Sequence, residues 1–394
     1  MNLVWFLTVA TVFSLTLGEF GQYPFGNTTF SLSITDIFLA LSLIFLLIWQ
    51  VGIKREIKLS LPFKFLTLFW GWGLLTLLLS QNIEGIFYLF RFVMYSSVFY
   101  LGYLLIQSKR VTIEKLLKYI LISAVILALM GFLQLIFFPD FESLTDFGFD
   151  PHKGRIASTF LDPNFLGIFL NLGFLIAFYL SLKSKKFLIW LGLITLAIIL
   201  TYSRTAYLLF LLQSILIGLF KSKKLLILIL VLILVSYFLI PRVKERALGI
   251  INVDITAQKR IESWAKGLII FQNYPVFGVG FNNLRDAISQ KNLFDPHQTQ
   301  EVHSGSGVDS GLIFVLATTG IIGLFIYLLF WANIFYQFII SYIKEKNFLF
   351  LLGSIWIVGL FVSGQFINAL FYPAIMLPSY LLFGGLFAKT RARI

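Results

Sequence analysis

The feature that most constrains this chain is a recurrence of apolar runs, many near 20 residues long, parted by short links rich in Lys and Arg. A run of that length matches the hydrocarbon thickness of a bilayer. Repeated many times, such runs leave a bundle of membrane helices as the fold that satisfies every backbone polar group inside lipid. Composition agrees: 59% of the 394 residues are hydrophobic and 12% are charged, whereas about a quarter of residues are charged in soluble domains. The expectation is an all-α integral membrane protein forming one polytopic domain over residues 1–394.

Several classes drop out. The chain has no cysteine, which removes disulfides, thiolate catalysis and Cys-type zinc sites. The first apolar run lacks a basic leader and a small-residue cleavage site, so it reads as a span rather than a cleaved signal. The net charge of +13 does not imply a nucleic-acid partner, because most of the basic residues sit where orientation signals belong.

Twelve apolar runs fall at approximately 3–18, 36–53, 62–80, 85–106, 118–138, 163–182, 187–203, 205–220, 225–241, 310–340, 348–367 and 370–388. The tenth is long and is expected to start outside the core or to tilt. Every second link is basic: "KREIK" at 54–58, "KRVTIEKLLK" at 109–118, "KSKK" at 183–186 and again at 221–224, "KEK" at 344–346 and "KTRAR" at 389–393. The positive-inside rule places these links, and both termini, in the cytoplasm. Three stretches then lie outside: 139–162, the tight hairpin around Arg204, and the largest loop, 242–309, between the ninth and tenth runs. All three histidines (His152, His297 and His303) fall there. A protein that only moved ions would keep its ionisable groups near the membrane midplane. Gathering them at one face points to binding or chemistry at the outer surface.

In "LTYSRTAYLLF", Arg204 sits between two minimal apolar runs. It is either an anchor that snorkels to the interface or a fork that grips phosphate oxygens. In residues 257–284, Ile261, Trp264, Leu268 and Phe271 recur at helical spacing, with Lys259, Glu262 and Lys266 on the other side. This describes an amphipathic helix on the outer leaflet. Arg260 near its start either pairs with Glu262 or serves an anion site favoured by the helix N-terminus. The "FGVGF" that follows reads as a turn, more often a helix stop than a phosphate cradle.

"EVHSGSGVDSGLIFVLATTGIIG", residues 301–323, runs from a polar loop into membrane helix. His303 is a side chain able to act as a base at neutral pH, or else a solvated loop residue. Asp309 is a candidate helix cap, as is Ser310. The spacing of His297 and His303 with nearby acids matches no standard ligand set, and no metal is expected. "GRIASTFLDPNFLG" carries Arg155, a second-rank phosphate candidate, and Asp162 or Asn164 caps the sixth run. Arg91 either faces the bundle interior or snorkels.

These segments together resemble the O-antigen ligase and O-antigen polymerase superfamily of bacterial membrane glycosyltransferases, in motif order from about residue 150 to 325. "GRIASTFLDPNFLG" resembles the family's R-G-T-F-x-x-P-N segment, and "YSRTAYL" resembles its S-R-[GT]-A hairpin. "RIESWAKGLIIFQNYPVFGVGFNNL" resembles its R-x-x-x-W … P-x-x-G-x-G loop helix. "DSGLIFVLATTGIIG" resembles its H-N-x-x-L … G-x-x-G start of the next span. Each pattern is loose, but four in order between the right spans are fairly specific.

The resemblance implies a GT-C-like bundle of about 12 spans in the bacterial inner membrane, working on lipopolysaccharide or another surface polysaccharide at the periplasmic face. It implies a glycan donor on undecaprenyl pyrophosphate, a glycan or lipid-linked acceptor, contact with membrane lipids, a chain-length regulator as partner, and no cofactor. Arg204 and Arg260 match the arginines that meet the pyrophosphate, with Arg155 and Arg91 as weaker candidates. A base takes the acceptor's proton and attack inverts the sugar carbon. One departure stands out. Asp309 occupies the position of the ligase histidine, and His303 lies six residues earlier. That favours a polymerase over a ligase, with His303 as base and Asp309 orienting it, or Asp309 alone as base if burial raises its pKa. A lipid-linked sugar flippase is the alternative of another class.

Overall fold

The computed structural model describes residues 1–24, 30–54, 60–221, 223–251, 255–293 and 307–391. Each of the twelve expected apolar runs contains a helix. In chain order these are α1 (Asn2–Ser14), α2 (Ile34–Trp49), α3 (Leu61–Leu79), α4 (Ile86–Gln107), α5 (Ile113–Phe137), α6 (Pro163–Ser181), α7 (Leu188–Leu200), α8 (Arg204–Phe220) and α9 (Lys223–Leu239). The stretch between the ninth and tenth runs contributes α10 (Pro241–Ile251), α11 (Ile255–Asn273) and α12 (Leu284–Gln290), and α13 (Gly311–Glu345), α14 (Phe348–Ser363) and α15 (Pro373–Arg391) follow. Among the described residues, seven helices are long and apolar enough to cross a membrane: α1 with its 3₁₀ extension to Gly21, α2 to α6, and α13. The others are shorter or interrupted. The 13 residues of α7 make only about 20 Å of helix against a hydrocarbon core of about 30 Å. One small departure from an all-helical chain is a hairpin of β1 (Gln22–Pro24) and β2 (Ser31–Ser33), with Tyr23 opposite Leu32.

The centre of the bundle is α4, α6, α14 and α15, most of whose side chains are buried. Without a hydrophobic drive between helices in lipid, close backbone approach has to do the work. A Cβ on Gly102 of α4 would stand 2.4 Å from the Leu381 carbonyl oxygen, and one on Gly384 of α15 would stand 1.8 Å from that of Phe99. These reciprocal glycines let the two helices touch. Interhelical hydrogen bonds add to this: Trp356 Nε1 donates to Ser379 Oγ at 2.8 Å, and Trp70 Nε1 donates to Ser96 Oγ at 2.9 Å. Peripheral helices turn Leu, Ile and Phe outward, among them Ile44 and Ile48 of α2 and Leu68 and Leu78 of α3. An apolar exterior this large would aggregate in water and suits lipid.

The long tenth run kinks rather than simply tilting. Gly320 has φ +68° inside α13, which opens the helical ladder, and the segment after α11 closes it again. Ile321 N–H donates to the Pro275 carbonyl at 2.9 Å, Val279 N–H donates to the Ala317 carbonyl at 3.0 Å, and Trp72 Nε1 reaches the Thr319 carbonyl at 2.8 Å. Kinks of this kind persist where neighbouring groups satisfy the freed backbone. Gly278, also at φ +68°, fits against the backbone at Thr318. The "FGVGF" turn is therefore a clasp on α13, which fixes where that helix kinks.

Candidate functional site

The α7–α8 hairpin turns at Thr201, Tyr202 and Ser203, with Tyr202 at φ +48°. Ser203 caps α8 by accepting from the Ala206 N–H, and its hydroxyl donates to Asn164 Oδ1 at 2.8 Å at the start of α6. Asp162 caps α6, its Oδ1 accepting from the Asn164 and Phe165 N–H groups at 2.6 and 3.2 Å. Two caps thus tie the ends of α6 and α8 together. Arg204, the first residue of α8, is left half-buried at this junction.

Arg204 Nε donates to the Arg246 carbonyl of α10 at 3.1 Å. Arg155 is 8% exposed because the 154–160 segment is laced to the bundle. Ile156 N–H donates to the Leu200 carbonyl, and Gln134 bonds the backbone at 155, 157 and 158. Arg155 Nε donates to the Thr201 carbonyl at 2.8 Å and Arg155 Nη2 to that of Tyr202 at 3.4 Å. Arg155 therefore caps the C-terminal end of α7, where cations are favoured. Burial, with Arg246 and Arg242 close by, pulls it down to about 10. Arg242 donates to the Gly154 carbonyl at 2.8 Å and to that of Lys153, and lies 4.7 Å over the Tyr202 ring. Arg242 and Arg246 were not singled out in the sequence. The available signal was a basic run, "PRVKER" at 241–246, on the side the positive-inside rule leaves poor in Lys and Arg.

His152 sits against this group, with its Nδ1 3.4 Å from Arg155 Nη1. Burial and the Arg155 charge push it down to about 4, so it is neutral at neutral pH and a weak base. His297 and His303 lie outside the described residues.

At the head of α13 the cap is Ser310. Its Oγ accepts from the Ile313 N–H at 3.3 Å and donates to Gln365 Oε1 at 2.9 Å. Asp309 is thereby released from capping. Its backbone N–H donates to Ser263 Oγ of α11 at 2.9 Å. Among the described residues no hydrogen bond reaches its carboxylate. Burial raises that carboxylate to about 6; Arg260 opposes the rise, and Asp150 and Asp162 add to it. The heads of α6, α11 and α13 therefore share one electrostatic neighbourhood.

On α11, Gly267 and Ile270 are buried and Trp264 packs on Phe366 at 6.0 Å, while Ile261 and Leu268 stay exposed. The helix has two apolar faces, one on the bundle and one outward. Arg91 stands apart from the cluster. It pairs with Asp36 at 2.7 Å, bonds the Ser31 carbonyl and lies 4.0 Å over the Phe30 ring. It faces the bundle interior.

No curated protein matches the chain. A family model described as O-antigen ligase matches residues 187–328, the stretch that holds Arg204, Arg260 and Asp309 but neither Arg155 nor Arg91, so this part of the chain is similar to that family.

Proposed function

We propose that the chain is a membrane glycosyltransferase that moves a glycan from undecaprenyl pyrophosphate to an acceptor hydroxyl, most naturally as a surface-polysaccharide polymerase. The observation that carries this reading is Asp309: a carboxylate raised to about 6 and relieved of capping by Ser310, in the field of Arg260. A general base works best when its pKa lies near the operating pH. In this reading Asp309, acting alone or with His303, takes the acceptor proton as the oxygen attacks C1 of the donor sugar. The C1–oxygen bond to pyrophosphate breaks on the opposite face, so the configuration inverts. Arg204 and Arg260 hold the pyrophosphate as its negative charge grows, an interaction stronger in the transition state than before it. Neither step needs a metal. Arg155 has its donors on the α7 carbonyls, and Arg91 is matched by Asp36, so both serve the scaffold.

The arrangement across the membrane belongs to the same reading: both termini cytoplasmic, and residues 242–309 with the site outside. Because the chain has no cysteine, single cysteines at Lys153 and Lys185 test it directly. An impermeant maleimide should label the first in intact cells and the second only after lysis. For activity, Arg204→Ala and Arg260→Ala are placed in a strain lacking its own copy. Polymer of undiminished length would sink the proposal. Asp309 at the ligase histidine's position favours polymerase; transfer to lipid A core by the purified protein, with no chain extension, would reverse that choice.

A further inference from the structure

Next to the Asp309 neighbourhood lies a cavity of about 270 Å³. Phe281, Phe314, Phe371 and Tyr372 give it aromatic walls, and Arg91, Asn282 and Asn368 give it polar edges. Two contacts place it beside the site. A Cβ on Gly311, two residues beyond Asp309, would stand 3.2 Å from Asn368 Oδ1. Phe165, another wall residue, donates its backbone N–H to the Asp162 cap and stacks on Tyr372 at 3.8 Å.

Two polar atoms of the lining residues, Arg91 Nε and Asn368 Oδ1, are buried without a partner among the described residues. Both atoms are sealed from the cavity space, so what the cavity itself offers is the aromatic faces and the polar edges of its asparagines, Asn282 and Asn368. The charge of Arg91 is already balanced by Asp36. The cavity therefore offers donors, acceptors and aromatic faces with no excess positive charge. A phosphate would meet one neutralised guanidinium and the electron-rich faces of several rings. Hydroxyl groups suit the site better, since each both donates and accepts, and the C–H face of a sugar ring lies flat on an aromatic ring. The volume falls below the about 300–1,000 Å³ of drug-sized sites, which fits one ring rather than an oligosaccharide.

We propose that this cavity binds one neutral pyranose ring of the acceptor glycan, between the aromatic walls and against the polar edges of Asn282 and Asn368, so that its hydroxyl is delivered towards Asp309. The acceptor role rests on the glycosyltransferase reading; the binding itself does not. The test uses the full-length protein in nanodiscs and saturation-transfer NMR with the methyl glycosides of glucose, galactose, N-acetylglucosamine and N-acetylgalactosamine. At least one is expected to bind, excess pyrophosphate should not displace it, and Asn368→Leu should weaken it about tenfold. Asn282→Gly, which keeps the left-handed φ of +64° while removing the amide, is the second variant. A drop in either variant at unchanged melting temperature sustains the subsite. Binding by none of the four sugars, displacement by pyrophosphate, or indifference to both variants overturns it. Arg204→Ala separates the two ideas: it should cut transfer by about 10²- to 10³-fold and spare sugar binding. If transfer is undiminished in Arg204→Ala while Asn368→Leu still weakens the sugar, the pyrophosphate role of Arg204 fails and the subsite stands.

Discussion

Arg91 and Arg155 are both arginines held largely out of water, yet they are satisfied in opposite ways. Arg91 meets a carboxylate, Asp36, which is itself 2% exposed, so charge and hydrogen bonds are settled together. Arg155 and its neighbour Arg242 donate to carbonyl oxygens of Thr201, Tyr202, Gly154 and Lys153. Carbonyls satisfy the geometry of a guanidinium without cancelling its charge. The first arrangement locks helices; the second orients cations while leaving a positive field, which an anionic ligand could use. Positive charge is thus neutralised in one region and kept in the other.

The comparison can be broken most sharply at its functional end. Asp309→Asn should reduce transfer by about 10²- to 10⁴-fold, the usual worth of a positioned base, and Asp309→His should recover part of it. Single-turnover rates with lipid-linked donor decide this; a fully active Asp309→Asn would pass the role to His303. Arg204→Ala or Arg260→Ala should reduce kcat by about 10²- to 10³-fold, as for loss of one charge-stabilising donor. An effect on KM alone would argue for ground-state binding instead.

The scaffold end predicts a loss of stability. Asp36→Leu leaves Arg91 buried and unpaired and should destabilise by about 3–5 kcal/mol, read as a fall in melting temperature in detergent. Asp36→Leu with Arg91→Met should recover most of it. Recovery would show that the pair is structural, whereas no analogous double change exists for Arg155, whose partners are backbone. Arg155→Lys should cost less, about 1–3 kcal/mol, because one ammonium cannot span two carbonyls as the fork does.

The smallest effect is with pH. As a base, Asp309 must be deprotonated, so transfer should rise with pH through about 6, and the limb should vanish in Asp309→Asn. The sign for stability is opposite. Between 3.8 and about 6 the folded protein holds this proton more tightly than the unfolded chain, so the Asp309 contribution to stability falls as pH rises across that window. A melting temperature that rises there in wild type, relative to Asp309→Asn, would contradict the burial argument.

Much of the bundle was legible in the sequence because its rules are local. Run length set the helices, and the cap of α6 was narrowed to Asp162 or Asn164, of which the structure uses Asp162. Either Asp309 or Ser310 could have capped α13 by residue type, but only packing against Gln365 selected Ser310. The stripe of Ile261, Trp264, Leu268 and Phe271 marked α11 as amphipathic, but not that Gly267 and Ile270 would be buried while Ile261 and Leu268 stayed exposed. Periodicity shows that a helix has an apolar face; it does not say what each face meets. Arg91 and Asp36 are 55 residues apart, and no spacing rule joins them.

By itself, then, the order of residues determined a many-helix membrane chain and a short list of arginines and acids, because hydrophobic thickness, caps and charged links act within a few turns of backbone. Which arginine keeps its charge, and which carboxylate is spared from capping and shifted, was decided by tertiary structure alone. Desolvation and long-range partners set both, and neither exists until distant helices have packed.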